Sequence, residues 1–238
     1  MLHINLISSP RNISTALMYS FAQRKDTKVV DEPFYGYYLK ISPAKHPGRE
    51  EVIESMETNP AQIVEDLLLF NNRPVLFIKN MAHHLIGIEE RFFTSVTNVF
   101  LIRNPEQLIS SLVRVVPEPT MTDIGVAKQY ELYNQVTKSG QRPVVLDSGE
   151  LLKNPDGVLN GLCRRLGISF ERAMLSWKPG PRPEDGVWAK YWYQNVHKSS
   201  GFEPQATSTH ELPERLATLY EEALPFYREM FEKALKAE

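Results

Sequence analysis

Residues 2–21 read LHINLISSPRNISTALMYSF, and this stretch decides the fold. Ile4, Leu6 and Ile7 form an apolar run that enters a short polar turn, Ser8-Ser9-Pro10-Arg11-Asn12. The turn leads straight into a helical pattern, because Ile13, Ala16, Leu17, Ser20 and Phe21 fall at i, i+3, i+4, i+7 and i+8. A strand–turn–helix unit aims several backbone N–H groups and the positive end of a helix dipole at one point, which favours phosphate or sulfate. Arg11 adds a planar, permanent charge, and Ser14 and Thr15 add hydroxyl donors. The turn contains no glycine, and neither GxxxxGK[ST] nor GxGxxG occurs in the chain. The common nucleotide and dinucleotide loops are therefore excluded.

Working outward, strand-like runs recur at Ile4–Ile7, Lys28–Val30, Val75–Ile78, Asn98–Ile102 and Val144–Leu146. Helical patterns fill the gaps at Ile13–Arg24, Pro60–Phe70, Pro105–Val115 and about Asp123–Lys138. Thr58 or Asn59 before Pro60, and Asn154 before Pro155, are cap-then-proline start signals, and Gly167 closes the helix that follows Pro155. Pro213 is expected to open a last amphipathic helix and Pro225 to kink it. Alternation of strands and helices predicts a three-layer α/β/α fold around a parallel sheet. The 238 residues are expected to form one α/β domain, mostly helical from about residue 150.

Composition narrows the function classes. The net charge of −2 gives no reason to expect nucleic-acid binding, which normally needs a basic face. No apolar run approaches the roughly 20 residues of a membrane span, and no leader is visible, so a cytoplasmic location is expected. The one cysteine, Cys163, lies in an apolar helical pattern with Leu159, Leu162 and Leu166 and reads as a buried structural thiol.

Sites in parallel sheets lie beyond the carboxyl ends of the strands. After the first strand come Ser9, Arg11, Ser14 and Thr15, and after the second come Asp31, Glu32, Pro33, Phe34 and Tyr35. Lys79, His83 and His84 follow the third, and Arg103 follows the fourth, with Ser110 and Ser111 two turns into the next helix. Arginines, a lysine, carboxylates and histidines thus converge on one rim. A His-His pair with no cysteine and no third histidine nearby is a poor metal site.

Four segments resemble the P-loop-fold sulfotransferases that use 3′-phosphoadenosine 5′-phosphosulfate (PAPS). SPRNIST (9–15) resembles the family's 5′-phosphosulfate loop, which implies donor contacts from Arg11, Asn12, Ile13, Ser14 and Thr15. FLIRNPEQLISS (100–111) is similar to the 3′-phosphate motif, with Arg103 and Ser111 at the matching spacing. FIKNMAHHL (77–85) resembles the segment after the third strand where a histidine acts as base, and ELLKNPDGVLNGLCRRLGI (150–168) the family's later helix. WYQNVHKSSGF (192–202) looks like the loop that closes over the nucleotide, which implies roles for Lys198, Ser199, Ser200 and Gly201. Ile13 stands where the family has a loop glycine, so the loop backbone is expected to turn elsewhere or the donor to sit differently.

The resemblance implies sulfuryl transfer from PAPS to a hydroxyl or amine of a small-molecule acceptor, with no metal. Arg11 and Lys79 would stabilise the leaving charge. His83, His84 or Glu32 would be the base, Glu32 by similarity to the bacterial trehalose sulfotransferases. A histidine's ordinary pKa near 6.5 suits neutral pH, whereas Glu32 would need burial. Phe34, Tyr35 and Tyr38 suggest an acceptor pocket. Two other readings stand beside this one: a P-loop-like small-metabolite kinase using Asp31 for Mg²⁺, and a non-catalytic nucleotide-binding protein of the same fold. The residues leave the oligomeric state open, a homodimer included.

Overall fold

The computed structural model describes residues 1–203 and 212–236. Five parallel strands form one sheet: β1 (Leu2–Ser8), β2 (Thr27–Asp31), β3 (Val75–Met81), β4 (Thr97–Ile102) and β5 (Val144–Asp147), in the order β2-β3-β1-β4-β5. The strands extend the sequence-predicted runs by a residue or more, because their ends still lie in the ladder. One face carries α1 (Ser14–Phe21), α9 (Ser148–Lys153) and α10 (Pro155–Leu166), whose apolar sides pack on Ile4, Leu6, Phe77 and Leu101. The other face carries α4 (Pro60–Leu69), α5 (Glu90–Ser95), α8 (Val126–Lys138) and α12 (Ala217–Phe231), packed on Ile7, Ile78, Phe100 and Val145. The three-layer α/β/α reading holds, and it is a P-loop-like architecture.

The start signals act as their chemistry dictates. Asn59 accepts from the Ala61 N–H, Asn104 from Glu106 at the start of α6 (Pro105–Leu112), and Asn154 from Gly157. Gly167 ends α10 in the left-handed region. The helix expected over 123–138 is broken: Gly125, at φ 67, separates α7 (Met121–Ile124) from α8. A capping box between Thr120 and Asp123 starts the short helix that Gly125 ends. Three short helices carried no clear period, namely α2 (Tyr35–Ile41), α3 (Arg49–Ser55) and α11 (Ala189–Trp192). Pro213 precedes a 3-10 turn at Glu214–Leu216, and α12 follows it and contains Pro225.

A line of buried amides crosses the middle of the sheet. Asn80 on β3 donates to Asn5 on β1 at 2.9 Å, and Asn5 donates to Asn98 on β4 at 2.9 Å. Asn98 in turn donates to the Phe93 carbonyl and to Gln141. All three lie on the face of Ile7, Ile78 and Phe100, so the line interrupts an otherwise apolar layer. No helix among the described residues is long and apolar enough to cross a membrane.

Candidate functional site

The strand order reverses beside β1, and a cavity of about 710 Å³ opens beyond the carboxyl ends of the strands. One end is the turn between β1 and α1. Arg11 there adopts φ 53, a left-handed conformation uncommon for a non-glycine residue. Ile13 sits at φ −48, so the turn takes its positive φ two residues before the expected glycine position. The conformation is held from β4: Arg103 donates to the Arg11 carbonyl, and Asn12 donates to the Leu101 carbonyl at 2.7 Å. Arg11 Nε donates to Ser111 Oγ at 3.1 Å, which joins the turn to α6. Helix α1 has no side-chain cap and no acidic residue in its first turn, and Ser14, Thr15 and Ala16 line the cavity.

This end is strongly positive. Burial and the charge of Arg114 lower the Arg11 pKa, and burial and Arg11 bring Arg103 down to about 10, with Asp147 opposing. Arg114 lines the same cavity. Among the described residues Arg11 and Arg114 form no ion pair with a carboxylate. The side-chain oxygens of Ser9 and Asn12 Oδ1 are buried there without a hydrogen-bond partner. Guanidinium groups crowded against one another in this way are relieved by an anion.

The other end is acidic and aromatic. Glu32 follows β2 at φ 43, its N–H donating to the Lys79 carbonyl at 2.8 Å. Lys79 Nζ donates to Asp31 Oδ1 at 2.8 Å, to Glu32 Oε1 and to Tyr193 Oη. Glu32 Oε2 lies 3.5 Å from His84 Nδ1, too long and misaligned for a hydrogen bond. The Tyr35 ring stacks on His84 at 4.5 Å and its hydroxyl meets His46 Nδ1 at 2.8 Å.

A sulfotransferase domain matches residues 2–234 of the chain. The chain belongs to that family. It is 39% identical over 222 residues to branched-chain-amino-acid aminotransferase-like protein 1 of Arabidopsis thaliana, and 34% over 226 residues to protein 2 of that name. These matches cover 92% and 94% of this chain but 40% of each relative, so the chain spans two-fifths of their length. Among solved structures it resembles the sulfotransferase domain of the Synechococcus PCC 7002 olefin synthase, with TM-score 0.59, 17% identity and 93% and 94% of the two chains covered. The curacin-pathway sulfotransferase domain gives 0.55 at 18% identity over 98% of both chains. A sulfotransferase of Alicyclobacillus acidocaldarius gives 0.58 at 14% over 97% and 96%. At such identities the likeness is one of fold.

Of the residues singled out from sequence, Arg11 to Thr15, Glu32, Tyr35, Lys79, His83, His84, Arg103, Ser111, Ser199 and Gly201 all line this one cavity. Four do not. Phe34 is in the apolar layer, edge-on to Phe92, and Tyr38 is buried against His84. Lys198 and Ser200 are exposed on the outside of their segment. The expected role of Lys79 in leaving-group stabilisation is corrected, because its ammonium is spent on two carboxylates and a phenol. The case for a histidine base also changes, since neither ring keeps its ordinary pKa. Burial brings His83 down to about 3, with His46 adding and Asp123 opposing, and holds His84 well below the ordinary value.

Sequence reasoning missed His46, Arg114, Asp123 and Tyr193, all at the cavity. Arg114 lies three residues beyond Ser111, a helical spacing that could have revealed it. The others come from loops and segment ends with no periodic signature.

The buried histidines carry a stability prediction. Unfolded His83 takes up its proton at about 6.5 and folded His83 only near 3, so its stabilisation is complete above pH 6.5 and is lost as pH falls towards 3. By pH 4 the loss is roughly 3 kcal/mol. Melting curves from pH 7 to 4 should therefore fall less steeply for His83→Gln than for the parent. Equal slopes would show that His83 is not held neutral.

Proposed function

We propose that the protein transfers a sulfuryl group from PAPS to a hydroxyl or amine of a small-molecule acceptor, with Glu32 as base. The observation that carries this reading is the polarity of this cavity. Three arginines and an uncapped helix start stand at one end, and a buried carboxylate stands at the other. When bound, the donor would supply the sulfuryl group to the acceptor, the sulfur–oxygen bond to its 5′-phosphate breaking and the bridging oxygen departing with 3′,5′-adenosine bisphosphate. Arg11, the first N–H groups of α1, and the hydroxyls of Ser14 and Thr15 would hold the 5′ end. Arg103 and Ser111 would hold the 3′-phosphate, with Arg114 adding charge. Ser199, Gly201 and Phe202 would flank the nucleotide. The partnerless Ser9 and Asn12 oxygens fit a site completed by a ligand.

Preorganised cations at the leaving oxygen supply electrostatic stabilisation that water would have to reorganise to give. Glu32 Oε1 is fixed by Lys79, which leaves Oε2 to take the acceptor's proton. Tyr35, His46 and Trp192 would form the walls around the acceptor. The kinase reading is weaker for two local reasons: the loop has no lysine, and both Asp31 oxygens are engaged, by Lys79 and Tyr193.

Thermal denaturation with different nucleotides tests the donor. At a hundredfold excess over Kd a ligand adds about 2.7 kcal/mol. 3′,5′-Adenosine bisphosphate should raise the melting temperature by several degrees while AMP and ADP give little. Equal shifts would remove the 3′-phosphate assignment, and a larger one with MgATP would favour phosphoryl transfer.

A further inference from the structure

The cluster behind Glu32 is built more elaborately than a lone general base requires. Lys79 is wholly buried and spends all three ammonium protons, on Asp31 Oδ1 at 2.8 Å, on Glu32 Oε1 and on Tyr193 Oη at 2.7 Å. The Tyr193 hydroxyl donates to Asp31 Oδ2 at 2.7 Å and accepts from Trp188 Nε1 at 3.2 Å. Two carboxylates thus share one ammonium, and the tyrosine hydroxyl is the further donor to the excess negative charge. Tyr193 lies 162 positions from Asp31, in a segment that also lines the cavity. Asn195, Val196, Ser199 and Gly201 of that segment line the same cavity. The segment is tied down by Trp177 N–H to the Ser200 carbonyl at 2.9 Å and by Gly180 N–H to the His197 carbonyl at 2.8 Å.

We propose that Tyr193 is a positioning residue for the transfer reaction: its hydroxyl keeps Lys79 divided between Asp31 and Glu32, so that Glu32 presents a free Oε2 to the cavity. The proposal rests on the sulfuryl-transfer reading for its kinetic consequence but not for its structural one. Its physical basis is competition for a single cation. With Asp31 ionised and held by Tyr193, the ammonium is shared. If Asp31 becomes neutral or swings away, the full positive charge falls on Glu32 and makes that carboxylate a poorer proton acceptor. The groups facing Asp31 are Lys79 from β3, the adjacent Glu32, Tyr193 and, further off, Tyr19 on α1. Burial and Glu32 raise the Asp31 pKa to about 6, against the lowering effects of Lys79 and the Tyr193 hydrogen bond. Turnover should therefore fall as pH drops through about 6, and loss of the tyrosine hydroxyl should move that limb to higher pH.

Tyr193→Phe is the direct test, because it keeps the ring packed on Trp188 and Tyr35 and deletes only the hydroxyl. The expected result is a kcat about tenfold lower, a donor KM within twofold of the parent, and an acidic limb at least half a pH unit higher. Asp31→Asn, which leaves the ammonium to Glu32 alone, should give a low kcat that is flat from pH 5 to 7. An unchanged kcat and limb in Tyr193→Phe overturns the proposal, and so does a fall in kcat with the limb unmoved, since packing alone would explain it. A readout independent of transfer is the ¹³C carboxylate titration of Asp31 in the ligand-free protein. Its midpoint should rise in Tyr193→Phe, and an unmoved midpoint overturns the proposal whatever reaction is catalysed. A moved midpoint in a protein that ignores 3′,5′-adenosine bisphosphate would sink the transfer reading and leave the coupling standing.

Discussion

Glu32→Gln lowers turnover by a hundredfold or more and leaves affinity for 3′,5′-adenosine bisphosphate within about twofold. The size is the usual contribution of a positioned general base. The geometry explains the selectivity: Glu32 stands at the opposite end of the cavity from the arginines, and glutamine preserves its volume and an oxygen for Lys79 to hold. His83→Gln and His84→Gln should stay within about tenfold of the parent in turnover. Burial has driven both rings far below the pKa at which a base works best near neutrality, since proton affinity is what a general base contributes. Steady-state kinetics with a confirmed acceptor, beside calorimetric binding of the nucleotide, checks all three variants. A hundredfold loss in either histidine variant with Glu32→Gln still active would transfer the role to that ring.

Arg103→Ala should weaken nucleotide binding by one to two orders of magnitude. Its charge-assisted contact to a phosphate is worth roughly 1.5–3 kcal/mol. It also donates to the Arg11 carbonyl, the peptide that holds the turn at its positive φ, so its loss releases the turn as well. Arg11→Ala should behave differently, with a lower kcat and a smaller loss of affinity, because a charge that matters most in transfer appears in kcat. Titrations of both variants with 3′,5′-adenosine bisphosphate decide the matter. Arg103→Ala binding as well as the parent would show that the 3′-phosphate lies elsewhere.

The sheet was legible because each strand is a short apolar run bounded by turn chemistry, and caps such as Asn59-Pro60 and Asn154-Pro155 act through local hydrogen bonds. The rim was legible by a geometric rule, since the residue after a strand must face the carboxyl edge. Arg103 and Ser111 were set by spacing along one helix. What failed was whatever depends on distant partners. Nothing near Lys79 announces that Tyr193, more than a hundred residues on, will occupy its third proton. The positive φ at Arg11 is imposed by Arg103 and β4 rather than by a local glycine, so the turn lies away from position 13, as Ile13 implied, but no residue of the turn itself says where. Gly125 broke a helix whose apolar spacing continued across it, and it brings α8 against His83: a Cβ there would lie 3.3 Å from His83 Nδ1.

The amide line through Asn5, Asn80 and Asn98 bears on how reliably the chain finds its strand order. Apolar strands in a parallel sheet are nearly interchangeable, and Val, Ile and Leu would accept a neighbour displaced by two residues almost as well as the right one. The three amides would not. A two-residue slip of β4 past β1 would set Asn5 opposite Phe100 instead of Asn98, leaving buried donors that cost roughly 1–3 kcal/mol each. Leucine at all three positions would remove that discrimination, and such a sheet would be expected to misalign more often during synthesis, even where the finished molecule resisted heat as well as before.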